Sequence, residues 1–293
     1  MKEKIYEEFG YIVEYLTYRK EYISFFYNGF NYIVEEVTLN EEQVENLSKI
    51  VIFLENYNIF FHEVMKGLKS FIFNYDGKSF VLLKIRVFYE REISLQEIIY
   101  LSTISIDSLK LTIENPSFKM ERKIDFLEQY IANYEKSYAL EDLNYYIGLS
   151  ETAITLSHLF ESKKIVVAHK RLHKNEKTLS FYNPLNIVLD TNCRDLAEYV
   201  KCQYFENDKN YIFNLIQFLK PEDLIFYLIR LIYPSYYFDC LESIIVDNQE
   251  LDCQKKISQK ANDYEKNLKY LYKEIRNYVN LPQIEWLSDI NNT

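Results

Sequence analysis

The stretch Val166–Val200, VVAHKRLHKNEKTLSFYNPLNIVLDTNCRDLAEYV, decides the fold. It begins within the short apolar run Ile165–Ala168, read as a buried strand. The run delivers His169-Lys170-Arg171-Leu172, placing a histidine and two cations where the chain leaves the strand. Asn175, Glu176 and Asn183 follow, and then Ile187-Val188-Leu189 forms an apolar approach to Asp190. Thr191-Asn192-Cys193-Arg194 leads to Asp195, which opens a helix over Asp195–Tyr204. An aspartate there caps the helix or stabilises its dipole, worth roughly 0.5–2 kcal/mol.

Upstream, the first eighty-odd residues alternate strand and helix signals. Tyr22–Tyr27 and Asn31–Val37 are β-rich runs separated by Asn28-Gly29, a two-residue hairpin signal. Asn40-Glu41-Glu42-Gln43 reads as a cap with an acidic first turn. Val44, Leu47, Ile50, Val51 and Leu54 then recur at helical spacing. Ser70–Tyr75 and Ser79–Ile85 form a second hairpin about Asp76-Gly77.

From Ser94 onward the signals are mostly helical. Ser94-Leu95-Gln96-Glu97 opens one segment, and Lys119–Tyr134 and Asp142–Phe160 are two more. Ile257, Ala261, Tyr264, Leu268, Leu271, Ile275 and Tyr278 step by four and three, an amphipathic helix ending before Leu281-Pro282.

Composition excludes several function classes. With 48% hydrophobic and 17% aromatic residues, the chain of 293 residues is unlike a disordered one and long enough to bury a large core. The 28 Tyr and 20 Phe accompany scarce Gly and Pro, the pattern an AT-rich bacterial genome produces. A net charge of −10 and the lack of a dense basic block argue against nucleic acid as a partner. Lys163-Lys164 and Lys170-Arg171-Lys174 read as a solvated loop. The N-terminal MKEKIYEEFGYIVEYL lacks the apolar run of a signal peptide, and Arg230, Pro234, Asp239 and Glu242 interrupt the longest apolar stretches. A cytoplasmic protein without a membrane span is therefore expected. Cys193, Cys202, Cys240 and Cys253 form no C-x-x-C pair and read as reduced thiols.

His169 and His173 lie four apart, but at a strand-to-loop transition and without a third ligand, so no metal site is expected. His62 and His158 are isolated and read as packing residues. Tyr233-Pro234-Ser235-Tyr236-Tyr237-Phe238 offers apolar area with polar tips; it either contributes a protein-binding surface or seals the helical region.

The quoted stretch resembles the catalytic core of the protein-kinase-like and aminoglycoside-phosphotransferase-like superfamily. LNYYIGLSE (Leu143–Glu151), RDLAEYVK (Arg194–Lys201), LIRLIYPSYYFDCLE (Leu228–Glu242) and IEWL (Ile284–Leu287) resemble the kinase-like spore coat proteins of endospore-forming bacteria. The resemblance implies an α+β, two-lobed fold: an antiparallel-sheet lobe over residues 1–86 and a larger, mainly helical lobe over 87–293, with Arg86–Glu90 as hinge. It makes His169 and Asp195 structural, Asp195 tying its helix to the catalytic-loop backbone.

At the catalytic positions the sequence departs from the superfamily pattern. Arg171 stands where the base aspartate belongs, Asn183 where the first metal-binding aspartate belongs, and Glu176 where the second metal ligand, an asparagine, belongs. The phosphate-holding lysine falls on Glu35 or a neighbour. A second register would make Asp190 the metal ligand, only five residues before Asp195. The resulting expectation is a pseudokinase without cofactor that acts through a protein partner, such as a spore coat or envelope component. The alternatives are a divergent phosphotransferase using Mg-ATP and a nucleotide- or metabolite-binding module without turnover.

Overall fold

The computed structural model describes residues 1–87, 89–111, 116–131, 142–160, 164–172, 175–247 and 252–289. The chain opens with α1 (Lys2–Phe9) and a short strand, β1 (Thr17–Tyr18). A hairpin follows, β2 (Tyr22–Tyr27) and β3 (Phe30–Glu36). Asn28 and Gly29 both take positive φ, 48° and 82°, the two-residue turn whose twist matches that of the flanking strands. Helix α2 (Glu41–Glu55) starts at a complete capping box: Asn40 Oδ1 accepts from the Gln43 amide, and Gln43 Oε1 accepts from the Asn40 amide, both at 2.9 Å. Strands β4 (Glu63–Met65), β5 (Ile72–Tyr75) and β6 (Lys78–Lys84) complete one antiparallel sheet. Its order is β1-β2-β3-β6-β4; β5 pairs with the first half of β6 through the Asp76-Gly77 turn.

Alternation along β3 decides what each face carries. Ile33 packs with Val37, Val44 of α2, Val64, Val81 and Leu83, while Tyr32 and Val34 pack on the opposite side with Ile5, Phe25, Phe73 and Leu82. Glu35, two residues from Ile33, shares the face of the α2 cluster.

The remainder is mainly helical, as the α+β reading requires. It comprises α3 (Leu95–Thr103), α4 (Pro116–Ile131), α5 (Leu143–Leu159), the two-stranded sheet of β7 (Ile165–His169) and β8 (Ile187–Thr191) with the short α6 (Thr178–Phe181) between its strands, then α7 (Arg194–Asn207), α8 (Leu224–Ile232), α9 (Ser235–Asp247), α10 (Asp252–Ile275) and α11 (Glu285–Ser288). The expected 119–134 helix begins three residues early, at Pro116, and residues 132–134 lie outside the described residues. Among the described residues no helix is long and apolar enough to cross a membrane.

Two compact units divide the chain: Met1–Ser94 with Asn175–Val188, and Leu95–Lys174 with Leu189–Thr293. In the first unit, residues 175–188 are stitched to residues 91–93. The Ile93 amide donates to the Glu176 carbonyl at 2.8 Å, and the Thr178 amide to the Arg91 carbonyl at 2.9 Å. In the second unit every residue of α8 except Phe226 is buried, Arg230 included. Tyrosine serves as core material there. Tyr264 and Tyr227 bury their rings and donate their hydroxyls to the carbonyls of Leu231 (2.9 Å) and Ile212 (3.1 Å).

The structure decides between the two readings of Tyr233–Phe238 and corrects the expectation of reduced thiols. Tyr233, Tyr237 and Phe238 are buried, with Tyr237 stacked on Tyr146 (ring centroids 3.7 Å) and Tyr236 on Phe205 (3.9 Å). The segment seals the second unit. Cys240 and Cys253 form a disulfide with Cα atoms 6.0 Å apart. They are thirteen positions apart in sequence, and because one lies on α9 and the other in the first turn of α10, packing of those helices brings them within bridging reach.

His62 is fully buried in the first unit. Its Nε2–H donates to the Leu179 carbonyl at 3.0 Å, while Nδ1 accepts from the Arg86 amide at 3.5 Å, which fixes a neutral ring. Burial pushes its pKa down to about 4. The unfolded chain therefore binds a proton more readily from about pH 6.5 down to about 4, and stability falls as pH drops through that window. By pH 4 the loss attributable to His62 is expected to reach about 3 kcal/mol. Urea unfolding of wild type and His62→Gln between pH 7 and 4 checks this: the variant should lose most of this slope.

Candidate functional site

Asp195 and Arg194, adjacent in sequence, hold the chain segment that leaves β7. The Asp195 carboxylate, almost fully buried, accepts from the His169 amide at 2.9 Å through Oδ1 and from His169 Nδ1–H at 2.6 Å through Oδ2. Arg194 takes the carbonyls of the same segment, donating through Nε to His169 and through Nη2 to Lys170, both at 3.0 Å. No side chain caps α7; Asp195 stands in its first turn and spends its hydrogen bonds on His169.

Asp190 lies at the end of the adjacent strand and is completely buried. Its Oδ2 accepts from Arg194 Nη1 at 2.9 Å, its Oδ1 from the Thr191 amide at 2.7 Å and from Arg230 Nη2. Burial alone would raise this carboxyl, but the Arg230 and Arg194 guanidinium groups outweigh it and hold the pKa below the ordinary carboxylate range. Both oxygens are thus committed to cations inside the protein. A second buried charge sits beside it. Lys201 Nζ donates to Glu198 Oε1 (2.7 Å), Ser235 Oγ (2.6 Å) and the Arg230 carbonyl (3.0 Å).

Arg171 stands half-exposed, with Nη2 at 2.9 Å from both Asp239 Oδ1 and Glu242 Oε2. Glu242 also pairs with Lys123 Nζ at 2.5 Å. The cation is therefore anchored to α9 by carboxylates on successive turns. In the first unit, Asn183 Nδ2–H donates to Glu35 Oε2 at 2.8 Å, and Asn183 Oδ1 accepts from the Leu185 amide at 2.9 Å. Glu176 lies on the segment that pairs with residues 91–93, where its carbonyl takes the Ile93 amide.

Of the remaining sequence candidates, His173, Lys163 and Lys174 lie outside the described residues. His158 Nε2 meets Glu121 Oε1 at 2.7 Å, and Lys164 Nζ donates to the Ser102 carbonyl at 3.3 Å. No group of three or more His, Cys, Asp or Glu is placed to hold a metal among the described residues. Sequence reasoning missed the Asp190–Arg194–Arg230 network. Its signal was a lone arginine inside the apolar run Leu224–Tyr233, since a charge buried in such a run requires a partner.

The architecture is the α+β kinase-like fold of an antiparallel-sheet unit and a mainly helical unit. The aminoglycoside phosphotransferase of Alicyclobacillus acidocaldarius superposes with a TM-score of 0.63 at 8% identity, over 90% of this chain and 93% of that one. Spectinomycin phosphotransferase APH(9)-Ia, solved with ADP and spectinomycin, matches with a TM-score of 0.56 at 12% identity, over 93% and 92% of the two chains. Choline kinase LicA of Streptococcus pneumoniae matches at 0.50 and 14% identity, over 93% and 97%. A search of curated proteins by sequence returns no match. The profile of the family described as "Spore coat putative kinase YutH" matches residues 125–280, more than half of the chain, and the protein belongs to that family.

Removing the Asp195 carboxylate leaves the His169 amide and ring nitrogen buried without their acceptor. Asp195→Ala is expected to lower the unfolding free energy by ~2–3 kcal/mol. Urea denaturation at neutral pH measures it, and a loss under 0.5 kcal/mol, roughly the surface-substitution range, would show that the clasp is dispensable.

Proposed function

We propose that the protein is a kinase-like member of the spore coat family that has lost phosphoryl transfer and acts by binding another protein, a component of the spore coat or envelope. The hydrogen bond between Glu35 and Asn183 carries this reading. By resemblance these are the positions of the phosphate-holding lysine and the first metal-binding aspartate. Here a carboxylate and an amide satisfy each other.

The donor set does not fit Mg-ATP. A carboxylate at ~4 Å from a phosphate charge is repelled by about 4 kcal/mol at an effective dielectric near 20, where a lysine would be attracted comparably. Asn183 offers a metal one neutral oxygen, and that oxygen already accepts from the Leu185 amide. Asp190, the other candidate ligand, has its oxygens on Arg194, Arg230 and Thr191. Arg171 carries no acceptor that could take a proton from an attacking hydroxyl, and its guanidinium is held by Asp239 and Glu242. A positioned base supplies ~10²–10⁴ in rate and an electrostatic stabiliser ~10²–10³, so losing both leaves little beyond proximity.

A binding role is supported by what the first unit exposes. Ile12, Tyr15, Tyr18 and Phe26 all present more than half of their surface to solvent, and Tyr18 lies on the short edge strand of the sheet. Aromatic side chains with apolar bodies and polar tips are favoured at protein interfaces.

The test is thermal denaturation with millimolar ATP and magnesium. A ligand at a hundredfold its dissociation constant stabilises by ~2.7 kcal/mol. The expected result is an unchanged melting temperature for wild type, with no ATP turnover in wild type or in Arg171→Asp. A magnesium-dependent rise would favour a divergent phosphotransferase, and turnover by Arg171→Asp would show that the other positions still support chemistry.

A further inference from the structure

A cavity of about 880 Å³ in the second unit gathers three of the four cysteines: the Cys240–Cys253 disulfide and the Cys202 thiol. Helical geometry explains the meeting. Glu198, Cys202 and Phe205 step by four and three along α7 and share one face. That face lies against the start of α9. Glu198 Oε2 accepts from Ser235 Oγ–H at 2.9 Å, and the Phe205 ring stacks on Tyr236 at 3.9 Å. Cys202 sits between these two contacts, and Cys240 lies one turn beyond Tyr236 on the same side of α9. Cys253 closes the wall from the first turn of α10.

The remaining wall is charged in both signs, with Glu206, Asp208, Lys256 and Lys260 among its side chains. Such a wall holds water and solvates a thiolate, the reactive form of cysteine. Cys193 is the contrast within the same molecule. It is enclosed, and burial, with Asp223 nearby, pushes its thiol well above the ordinary range.

We propose that this cavity is an intramolecular thiol–disulfide exchange site in which Cys202 attacks the Cys240–Cys253 bridge. The Cys202 thiol gives its proton to water, and its thiolate attacks Sγ of Cys240. The Cys202–Cys240 bond forms as the Cys240–Cys253 bond breaks. The bonding electron pair leaves with Cys253 Sγ, which takes up a proton. One disulfide and one thiol are present before and after, so no oxidant or reductant is consumed. The exchange moves the covalent tether of α9 from α10 to α7.

The natural protease pattern makes this readable. Cleavage after glutamate separates all three residues, because Glu198 and Glu206 bracket Cys202 while Glu242 and Glu250 lie between Cys240 and Cys253. The folded protein is held at about pH 8.5, where an ordinary thiol is half ionised. It is then quenched in acid, alkylated, cleaved and mapped by mass spectrometry without reduction. Two linked pairs are expected, Cys240–Cys253 and Cys202–Cys240, and the second should vanish in Cys202→Ser while the first remains. Finding Cys240–Cys253 alone, with Cys202 alkylated in full, overturns the proposal. Cys253→Ser provides an independent check with oxidised glutathione as probe. A Cys202–Cys240 bond within one chain supports the proposal, whereas glutathione left on both cysteines, or a bond between chains, overturns it.

Discussion

The second unit is organised around one buried electrostatic constraint: the charges of Asp190, Arg194, Asp195 and Arg230 need partners. Breaking a buried pair by removing one member typically costs ~3–5 kcal/mol, because the survivor is left uncompensated. Arg194 and Asp195 meet that constraint by holding opposite backbone groups of the chain at His169, a carbonyl and an amide. Asp190 then ties Arg194 to Arg230 at the centre of α8. The strand end, the start of α7 and the most buried helix of this unit are thereby fixed to one another.

This distribution accounts for which parts of the kinase-like pattern persist. The groups that hold the loop are internal to the fold and are retained, since each has a buried partner that would otherwise be orphaned. On the proposed reading, the groups that would face a phosphate or a metal are side chains satisfied from within: Glu35 by Asn183, and Arg171 by Asp239 and Glu242. The solved proteins of similar fold include phosphotransferases and a choline kinase, and a shared architecture does not by itself fix the chemistry.

Much of the fold was legible because local signals and tertiary needs agreed. Asn28-Gly29 and Asp76-Gly77 specify two-residue turns by backbone geometry alone, and Asn40 with Gln43 specifies a helix start, so both hairpins and α2 could be placed from sequence. Asp195 was assigned a structural role; it stands in the first turn of its helix without capping it, and its carboxylate takes the amide of His169, twenty-six residues away, the tie that the resemblance implied. The Cys240–Cys253 bridge was hidden for the same kind of reason: its geometry is made by packing two helices, and no short motif encodes that. Tyr236 and Tyr237 were ambiguous because tyrosine suits both an interface and a core; the stacking on Phe205 and Tyr146 places them inside.

Native-state hydrogen exchange of the His169 amide tests the account most directly. The amide donates to a nearly buried carboxylate whose hold on the loop is internal to the second unit. The account predicts that it exchanges only through global unfolding, with protection matching the unfolding free energy and unchanged by Mg-ATP. Exchange through a low-energy local opening, or protection that rises when Mg-ATP is added, would contradict the proposal that the clasp holds this loop independently of nucleotide.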